Sequence, residues 1–383
     1  YNYDINNTIS TLLLGTRYYK GSTNRIQGFG NKRDGPDFSF LHTDDLENSV
    51  YDFPSRNFSF FGENVFRIDQ NLSITPGFRF EHIKTASKGY YTSISRDLAG
   101  NILQREKFNT ERVRKRQFML FGLAASYDIN TDIESYANFS TNYRGIGFND
   151  IRVVNTNLEV DPGIKDEKGF SSDLGLRGKI KDFLHFDGSI FYLKYNDRIG
   201  AIQRVDSTLF KPIRYRTNIS DSRHIGLETY FEVEILRLLN FESSSKLNLY
   251  SNLTLMNAKY INSKESSIEG NFVELAPSRI WRSGIEYNYK DFIISLKYSY
   301  TSKQYTDATN AEITSTAVNG KIPSYQVLDL NTEYSFKRFT IKAGINNLTD
   351  NKYFTRRADG YPGPGIIPSP PRNYYITLKV MIE

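Results

Sequence analysis

The feature that most restricts the fold of this chain is an alternation of apolar and polar residues, which recurs in segments of about ten residues. Within residues 292–300, Phe292 and Leu296 lie on one face of an extended chain, and Ser295 and Lys297 lie on the other. The same alternation occupies residues 72–81, 247–255, 327–336 and 339–346. No segment keeps a helical period, so the sequence predicts an all-β fold whose strands each have one apolar and one polar face.

The connections between the strands form a second regular pattern. We predict fourteen strands, at residues 9–19, 56–68, 71–84, 114–127, 132–143, 168–180, 183–197, 223–235, 246–259, 278–289, 291–303, 324–336, 338–348 and 373–383. Long connections follow the odd-numbered strands, at residues 20–55, 85–113, 144–167, 198–222, 260–277, 304–323 and 349–372. The even-numbered strands end in short turns, with a somewhat longer one at 236–245. This arrangement predicts a transmembrane, antiparallel, up-and-down β-barrel.

Overall composition is a weaker guide to the fold. The mean hydropathy of −0.51 would by itself suggest a soluble protein, but strands with one polar face dilute the apolar signal. No run of about 18 apolar residues is present, which excludes a transmembrane helix. A soluble β-propeller or tandem β-sandwich would also contain many short strands, but its connections would not alternate in length. The pattern therefore favours the membrane barrel.

The residue types that usually carry catalysis or bind metals form no recognisable motif. The chain has no cysteine, which excludes disulfides and cysteine-based zinc sites. The four histidines are scattered without metal-ligand spacing, and no Gly-x-Ser-x-Gly motif is present. His185 and Asp187 share one face of a strand, where we expect a hydrogen-bonded pair inside the barrel. The sequence therefore predicts neither an enzyme nor a resident cofactor or metal.

The polar faces of the strands are expected to line the interior of the barrel. Residues of this kind are Arg79, Glu81, Asp329, Glu333 and Lys342. They could hold an internal plug domain through ion pairs or line a water-filled pore, and the strands alone do not decide between the two. The net charge of +6 suits an anionic lipid or ligand, and no nucleic-acid-binding motif accompanies it.

Motifs near the C-terminus resemble those of TonB-dependent outer-membrane receptors. One is the segment AGINNLTD at residues 343–350 together with Tyr353, and another is the final strand RNYYITL at residues 372–378. The loop Tyr361-Pro-Gly-Pro-Gly resembles ferric-citrate and related siderophore receptors. Two features depart from the family pattern: Thr349 stands where phenylalanine is usual, and the chain ends in Met381-Ile382-Glu383 rather than in an aromatic residue.

The resemblance implies a larger barrel of 22 strands with an N-terminal plug. Residues 1–383 are then expected to be the C-terminal part of the barrel, with the plug and about eight strands lying upstream. The implied function is uptake of a ferric siderophore of citrate type across the outer membrane of a Gram-negative-type cell. The implied partners are TonB, the ferric chelate and lipopolysaccharide. Cobalamin or nickel uptake, or a passive porin or adhesin barrel, remain as alternatives.

The long connections combine basic and aromatic residues, which suggests a binding site for an anion. The candidate ligand-binding residues are Arg144, Arg152, Arg198, Arg204, Arg214, Arg216, Arg356, Arg357 and Tyr353. A guanidinium group matches a carboxylate with two parallel hydrogen bonds, so a ring of arginines would recognise a ferric carboxylate without contacting the iron. The same arginines could instead bind lipopolysaccharide phosphates or remain solvated.

Overall fold

The computed structural model describes residues 1–5, 8–31, 39–44, 46, 48–97, 99–147, 158–205, 212–241, 243–263, 265–314, 317–358 and 365–382. Among these residues, no helix is long and apolar enough to cross a membrane. The secondary structure of the described residues is almost entirely β, and the short helix among them, α1 (Ile235–Leu238), lies in the connection after the tenth strand.

The described residues form twenty strands, most of them much longer than the average strand of a globular protein. They are β1 (Asn2–Ile5), β2 (Thr8–Gln27), β3 (Ser49–Arg67), β4 (Leu72–Arg96), β5 (Ile102–Asn130), β6 (Ile133–Arg144), β7 (Leu158–Val160), β8 (Glu167–Ile180), β9 (Leu184–Val205), β10 (Pro212–Glu234), β11 (Ser245–Ile261), β12 (Arg279–Tyr289), β13 (Phe292–Thr301), β14 (Gln304–Tyr305), β15 (Lys321–Ile322), β16 (Tyr325–Phe336), β17 (Phe339–Asn346), β18 (Phe354–Ala358), β19 (Gly365–Pro368) and β20 (Asn373–Val380).

Fifteen of these strands follow one another through a single antiparallel sheet. The order is β1-β2-β3-β4-β5-β6-β8-β9-β10-β11-β12-β13-β16-β17-β20, and β7 adds to β10 in parallel. All fourteen predicted strands belong to this path, which confirms the up-and-down topology, whereas β1 was not predicted. Within the described residues β1 and β20 do not pair, so the sheet is open at these two strands. The hairpins β14–β15 and β18–β19 lie outside it.

Three of the predicted long loops are wrong in extent, because the strands continue well past their alternating segments. The predicted loop 85–113 is mostly strand, since β4 runs to Arg96 and β5 begins at Ile102. The predicted loops 20–55 and 198–222 shorten in the same way. Polar and charged residues are frequent in these extensions, and apolar ones such as Ile202 and Ile219 are too few to form an apolar face of about ten residues, so the period of two that reveals a strand is weak.

The sheet has two chemically different faces. One, called here the apolar face, exposes large hydrophobic side chains such as Phe121, Ile190 and Ile225. The other, the polar face, carries ion pairs, including Arg79 with Glu81, and Lys342 with Glu333 at 2.6 Å. An exposed apolar band opposite a charged surface is what a strand needs when it separates lipid from a polar interior.

The predicted pairing of His185 with Asp187 is wrong. The Asp187 carboxylate accepts a hydrogen bond from the Tyr136 hydroxyl at 2.8 Å, across the sheet on β6. No hydrogen bond joins His185 to Asp187 within the described part of the chain, since the Asp187 carboxylate is bound across the sheet by Tyr136 instead.

The segment after β17 forms a compact turn built by asparagine and aspartate side chains. Asn347 and Asp350 have φ angles of 52° and 53°, a left-handed conformation that these two residue types tolerate better than most. The Asn347 amide group accepts from the backbone N–H of Asn351 at 2.9 Å and donates to its carbonyl at 2.9 Å. The Asp350 carboxylate accepts from the backbone N–H of Arg372 at 3.0 Å, which ties this turn to the start of β20.

Candidate ligand-binding site

A polar cavity of about 740 Å³ lies on the polar face, at the end of the sheet where the long connections are. It is lined by Leu120, Thr141, Asn142, Tyr143, Arg144, Glu167, Tyr195, Arg198, Ile199 and Glu274. These residues come from β5, β6, β8, β9 and the connection between β11 and β12. Two of the predicted ligand-binding residues, Arg144 and Arg198, therefore meet in one cavity.

Arg144 is the last residue of β6 and is anchored on one side of the cavity. Its guanidinium donates to the carboxylate of Glu167 at 2.7 Å, and about half of the side chain remains exposed. Glu167 is buried, and its carboxylate also accepts from the backbone N–H of Ile199 at 2.8 Å. One glutamate therefore connects β6, β8 and β9 and fixes the position of Arg144.

Arg198 lies where the pairing of β9 with β10 becomes irregular. The register shifts next to the Arg198–Ser220 pair, which marks a β-bulge. The guanidinium of Arg198 is 3.6 Å from the carboxylate of Glu274, an ion pair but not a hydrogen bond. Its Nε–H is buried and has no acceptor among the described residues. Arg198 thus lines the cavity with hydrogen-bonding capacity that the described chain does not use.

Behind Arg198, Glu274 is held by a buried tyrosine. Tyr260 is fully buried, and its hydroxyl donates to the Glu274 carboxylate. Burial, and then the charge of Glu274, raise the pKa of Tyr260, so it remains a protonated donor. Tyr260 belongs to a small apolar cluster that also contains Ile202, Ile219 and Ile268. Glu274 therefore has a fixed position from which it faces Arg198.

His224 packs against Tyr195, one of the residues that line the cavity. Its ring meets Tyr195 edge-on, with ring centroids 6.1 Å apart, and its Nε2 lies 3.3 Å from the Ser222 hydroxyl. Burial, and then the positive charge of Arg198, lower the pKa of His224 to about 4, while Glu274 acts in the opposite direction. At neutral pH this histidine is uncharged, and the positive charge beside it comes from Arg198.

A second buried network supports the neighbouring wall. Arg116 of β5 donates to the Asp166 carboxylate at 2.8 Å and to the Ile146 carbonyl at 3.2 Å. Tyr143 also donates to Asp166, and its ring stacks on Phe118 with centroids 3.7 Å apart. Burial raises the pKa of Asp166, but the bonds from Arg116, the Ile146 backbone and Tyr143 outweigh it, so the pKa is lowered. This network holds both ends of the connection between β6 and β8.

Among the described side chains, those of Arg204 and Arg216 do not line this cavity. Arg204 lies 3.8 Å from Glu265, and its guanidinium covers the Tyr215 ring at 4.1 Å. Arg216 lies within β10, where its carbonyl accepts from the backbone N–H of Asp161 at 2.8 Å. Arg214 pairs through its backbone with Gln203 and Leu158, and its side chain lies outside the described part, as does all of Arg152.

The remaining three predicted residues form a separate group near the last connection. Arg357 of β18 donates to the carbonyls of Ala317 and Lys321 at 2.8 and 3.0 Å. Tyr353 stacks on Tyr325 with ring centroids 4.9 Å apart, and Arg356 is exposed. Arg357 is therefore used to attach one connection to another.

The charges of the cavity differ from a simple ring of arginines. Arg144 and Arg198 are each matched by a glutamate, so a ligand must compete for groups that already have a counter-ion. Sequence reasoning missed Glu167 and Glu274, because each is distant in sequence from the arginine that it pairs with. It also missed His224, which was recognised only as one of four scattered histidines.

The sequence matches the family described as "TonB dependent receptor-like, beta-barrel" over residues 1–348. The chain belongs to this family, which confirms the resemblance inferred from the motifs at residues 343–353. The family and the similar solved structures are receptors and transporters rather than enzymes, in agreement with the sequence-based prediction.

Solved structures with the same fold include receptors for different cargoes. The unliganded ferric citrate transporter FecA gives a TM-score of 0.76 at 20% identity, covering 99% of this chain and 52% of its own. The closed form of the ferric-catecholate import receptor Fiu from E. coli K12 gives a TM-score of 0.71 at 15% identity, and the match covers 98% of this chain and 52% of Fiu. The copper transporter OprC gives a TM-score of 0.69 at 16% identity, and the match covers 97% of this chain and 54% of OprC. These similarities establish the barrel fold, and the chain spans about half the length of each protein.

Proposed function

We propose that this chain is the C-terminal part of the barrel of an outer-membrane receptor that imports a ferric chelate with carboxylates on its rim, of the ferric-citrate type. The single observation that carries this proposal is Arg198, whose buried Nε–H has no acceptor among the described residues and which lines a cavity of about 740 Å³. A buried donor without a partner is costly, so a carboxylate that supplies the acceptor gains binding energy.

The dimensions and charges of the cavity suit such a ligand. Cavities that bind small molecules commonly measure about 300–1,000 Å³. The loose Arg198–Glu274 contact of 3.6 Å leaves the guanidinium able to turn its planar edge toward an incoming carboxylate. Arg144, half exposed in the same cavity, supplies a second guanidinium. The two arginines would therefore hold a chelate by its rim, and iron enters as cargo rather than as a cofactor.

The transport step depends on segments that we place upstream of residue 1. In this proposal, a plug domain precedes the barrel, and about seven further strands extend the fifteen-stranded path to a barrel of 22 strands. The long connections and the cavity capture the chelate at the outer surface. TonB, energised from the inner membrane, then acts on the plug to release the ligand inward. The chelate crosses without chemical conversion.

Growth of a strain lacking this protein on individual iron sources tests the proposal. We expect loss of growth on ferric citrate and recovery when the complete gene is restored. Unimpaired growth on ferric citrate would contradict the assigned substrate. A growth defect specific to cobalamin or nickel would assign one of these as the cargo instead. Uptake that continues without TonB would instead support a passive pore.

A further inference from the structure

Four basic residues form one uninterrupted row across strands β2 to β5. Lys20 pairs directly with Arg56, Arg56 with Lys84, and Lys84 with Lys115. Residues that are directly opposite in a sheet have Cβ atoms about 5 Å apart and point to the same side. All four side chains are exposed. The row, called here the cation row, therefore concentrates four positive charges on one surface.

The cation row lies on the apolar face, just beyond the hydrophobic band. Four residues nearer the short turns, the same strands carry a cross-strand row of Thr16, Phe60, Phe80 and Met119. At about 3.4 Å per residue, the two rows are separated by roughly 13 Å along the strands. Between them lies a row of mixed character that includes Phe58 and His82. The cation row is thus at the height where lipid headgroups begin on the long-loop side.

No acidic residue neutralises the cation row from the rows next to it. The row on one side consists of Tyr18, Phe58, His82 and Gln117, and the row on the other of Ser22, Pro54, Ala86 and Val113. Acidic residues occur one row farther out, but Glu111 is paired with Lys88 at 2.5 Å and Asp52 accepts from Ser22. Like charges directly opposite in a sheet destabilise it, which makes an external anion the missing counterpart.

An open groove adjoins the cation row on its outer side. It has a volume of about 570 Å³, and Lys20, Arg56 and Lys84 line it together with the small residues Gly21, Ser22 and Ala86 and with the Lys88–Glu111 ion pair. The small residues next to the charges leave room for a bulky anionic headgroup. A second, shorter row of cations lies on β9 to β11, where Arg223 pairs with both Lys194 and Lys259.

We propose that the cation row binds the phosphate groups of an outer-surface lipid, with its acyl chains against the adjoining hydrophobic band. This proposal rests on the outer-membrane location proposed above and deepens it by assigning a lipid site to named residues. Lysine and arginine bind phosphate through charge-assisted hydrogen bonds. In a lipid the phosphate lies next to the acyl chains, just as the cation row lies next to the hydrophobic band. A soluble phosphate compound would use the cation row but not the band.

The test measures lipid binding to the complete receptor, purified in detergent, by native mass spectrometry. The probes are bis-phosphorylated lipid A, its dephosphorylated form and inorganic pyrophosphate. The variant is Arg56→Gln with Lys84→Gln. The matched control is Lys290→Asn with Lys337→Asn, which removes the same charge at two short turns and suits their φ angles of 52° and 51°. We expect the variant to bind phosphorylated lipid A roughly tenfold more weakly or worse, since two charge-assisted contacts are lost, and the control to bind like the natural protein.

Further outcomes distinguish a lipid site from a misfolded variant and from a site for a soluble anion. Arg56→Lys with Lys84→Arg keeps both charges and should retain binding, which separates loss of charge from misfolding. Equal affinity of the Gln variant and the control for phosphorylated lipid A would overturn the proposal. Pyrophosphate binding as tight as lipid A binding would overturn the lipid assignment in favour of a soluble anion. Because the lipid-binding test uses no iron chelate, a negative result in it does not argue against the proposed cargo. In the same way, a negative growth test does not argue against the lipid site.

Discussion

The guanidinium of Arg198 and the carboxylate of Glu274 face each other at 3.6 Å across the wall of the cavity. The pair is close enough for electrostatic attraction and too far apart for a good hydrogen bond. Glu274 is bound from behind by Tyr260, whereas Arg198 keeps a donor without an acceptor among the described residues. The two members of the pair are therefore expected to respond oppositely to mutation.

Arg198→Gln should weaken binding of ferric citrate about tenfold or more, because a charge-assisted contact contributes about 1.5–3 kcal/mol. Arg198→Lys should recover only part of the affinity, since an ammonium group cannot form the planar two-bond contact. Titration of the purified receptor with ferric citrate, followed by quenching of tyrosine fluorescence, measures both. Arg204→Gln is the matched control, because Arg204 is paired with Glu265 outside the cavity. Equal losses for the Arg198 and Arg204 variants would contradict the assigned site.

Glu274→Gln should have the opposite effect and tighten binding of ferric citrate by a few fold. The amide can still accept the hydrogen bond from Tyr260 but no longer competes as an anion for Arg198. Raising the salt concentration should reduce this gain, because part of it is Coulombic. The same titration checks the prediction, with Glu265→Gln as the control at the neighbouring Arg204. Weaker binding in Glu274→Gln would show that this carboxylate orients Arg198 rather than competes with the ligand.

The depressed pKa of His224 predicts a specific acid sensitivity. Its pKa in the folded protein is about 4, whereas an unperturbed histidine titrates near pH 6.5. Between these pH values the unfolded chain binds more protons than the folded protein, so the contribution to stability is complete above about pH 6.5 and is lost as the pH falls toward 4.

The measurement for His224 is the midpoint of thermal unfolding in detergent at pH 7 and pH 4.5. The decrease on acidification should be smaller in His224→Gln than in the natural protein, because glutamine does not titrate. His42→Gln provides the comparison, since His42 is exposed in a connection. Identical pH profiles for the natural protein and the His224 variant would rule out the proposed linkage.

The sequence predicts the membrane-crossing part of this fold well, for a clear physical reason. A strand between lipid and a polar interior must alternate apolar and polar residues, so residues such as Phe292 and Lys297 reveal both the strand and its faces. The parts of the strands that extend past the lipid do not have to alternate in this way. The extensions that carry Lys20 and Arg204 lack a long apolar face, and their strands are visible only in the structure.

The cavity could be predicted only in part. Arg144 and Arg198 were identified from the charge of their connections, but their partners Glu167 and Glu274 were not. Those pairings depend on which connections meet in space, and alternation within a strand carries no information about that. The cation row could not be predicted from the sequence for a similar reason, since Arg56 and Lys84 become neighbours only through the register of β3 with β4.

The motif at residues 343–350 predicts a large effect for one buried asparagine. Asn347 is 2% exposed, has a φ of 52°, and makes two side-chain hydrogen bonds to the backbone of Asn351. Asn347→Ala should cost about 2–3 kcal/mol, because two partly buried backbone groups of Asn351 lose their partner. Asn347→Gly should cost less, because glycine adopts a left-handed φ without strain. Asn346→Ala, at the more exposed neighbour bonded to Asn373, should cost no more than about 1 kcal/mol. Urea unfolding in lipid vesicles measures all three, and equal losses at positions 346 and 347 would show that the buried turn does not stabilise the end of the barrel.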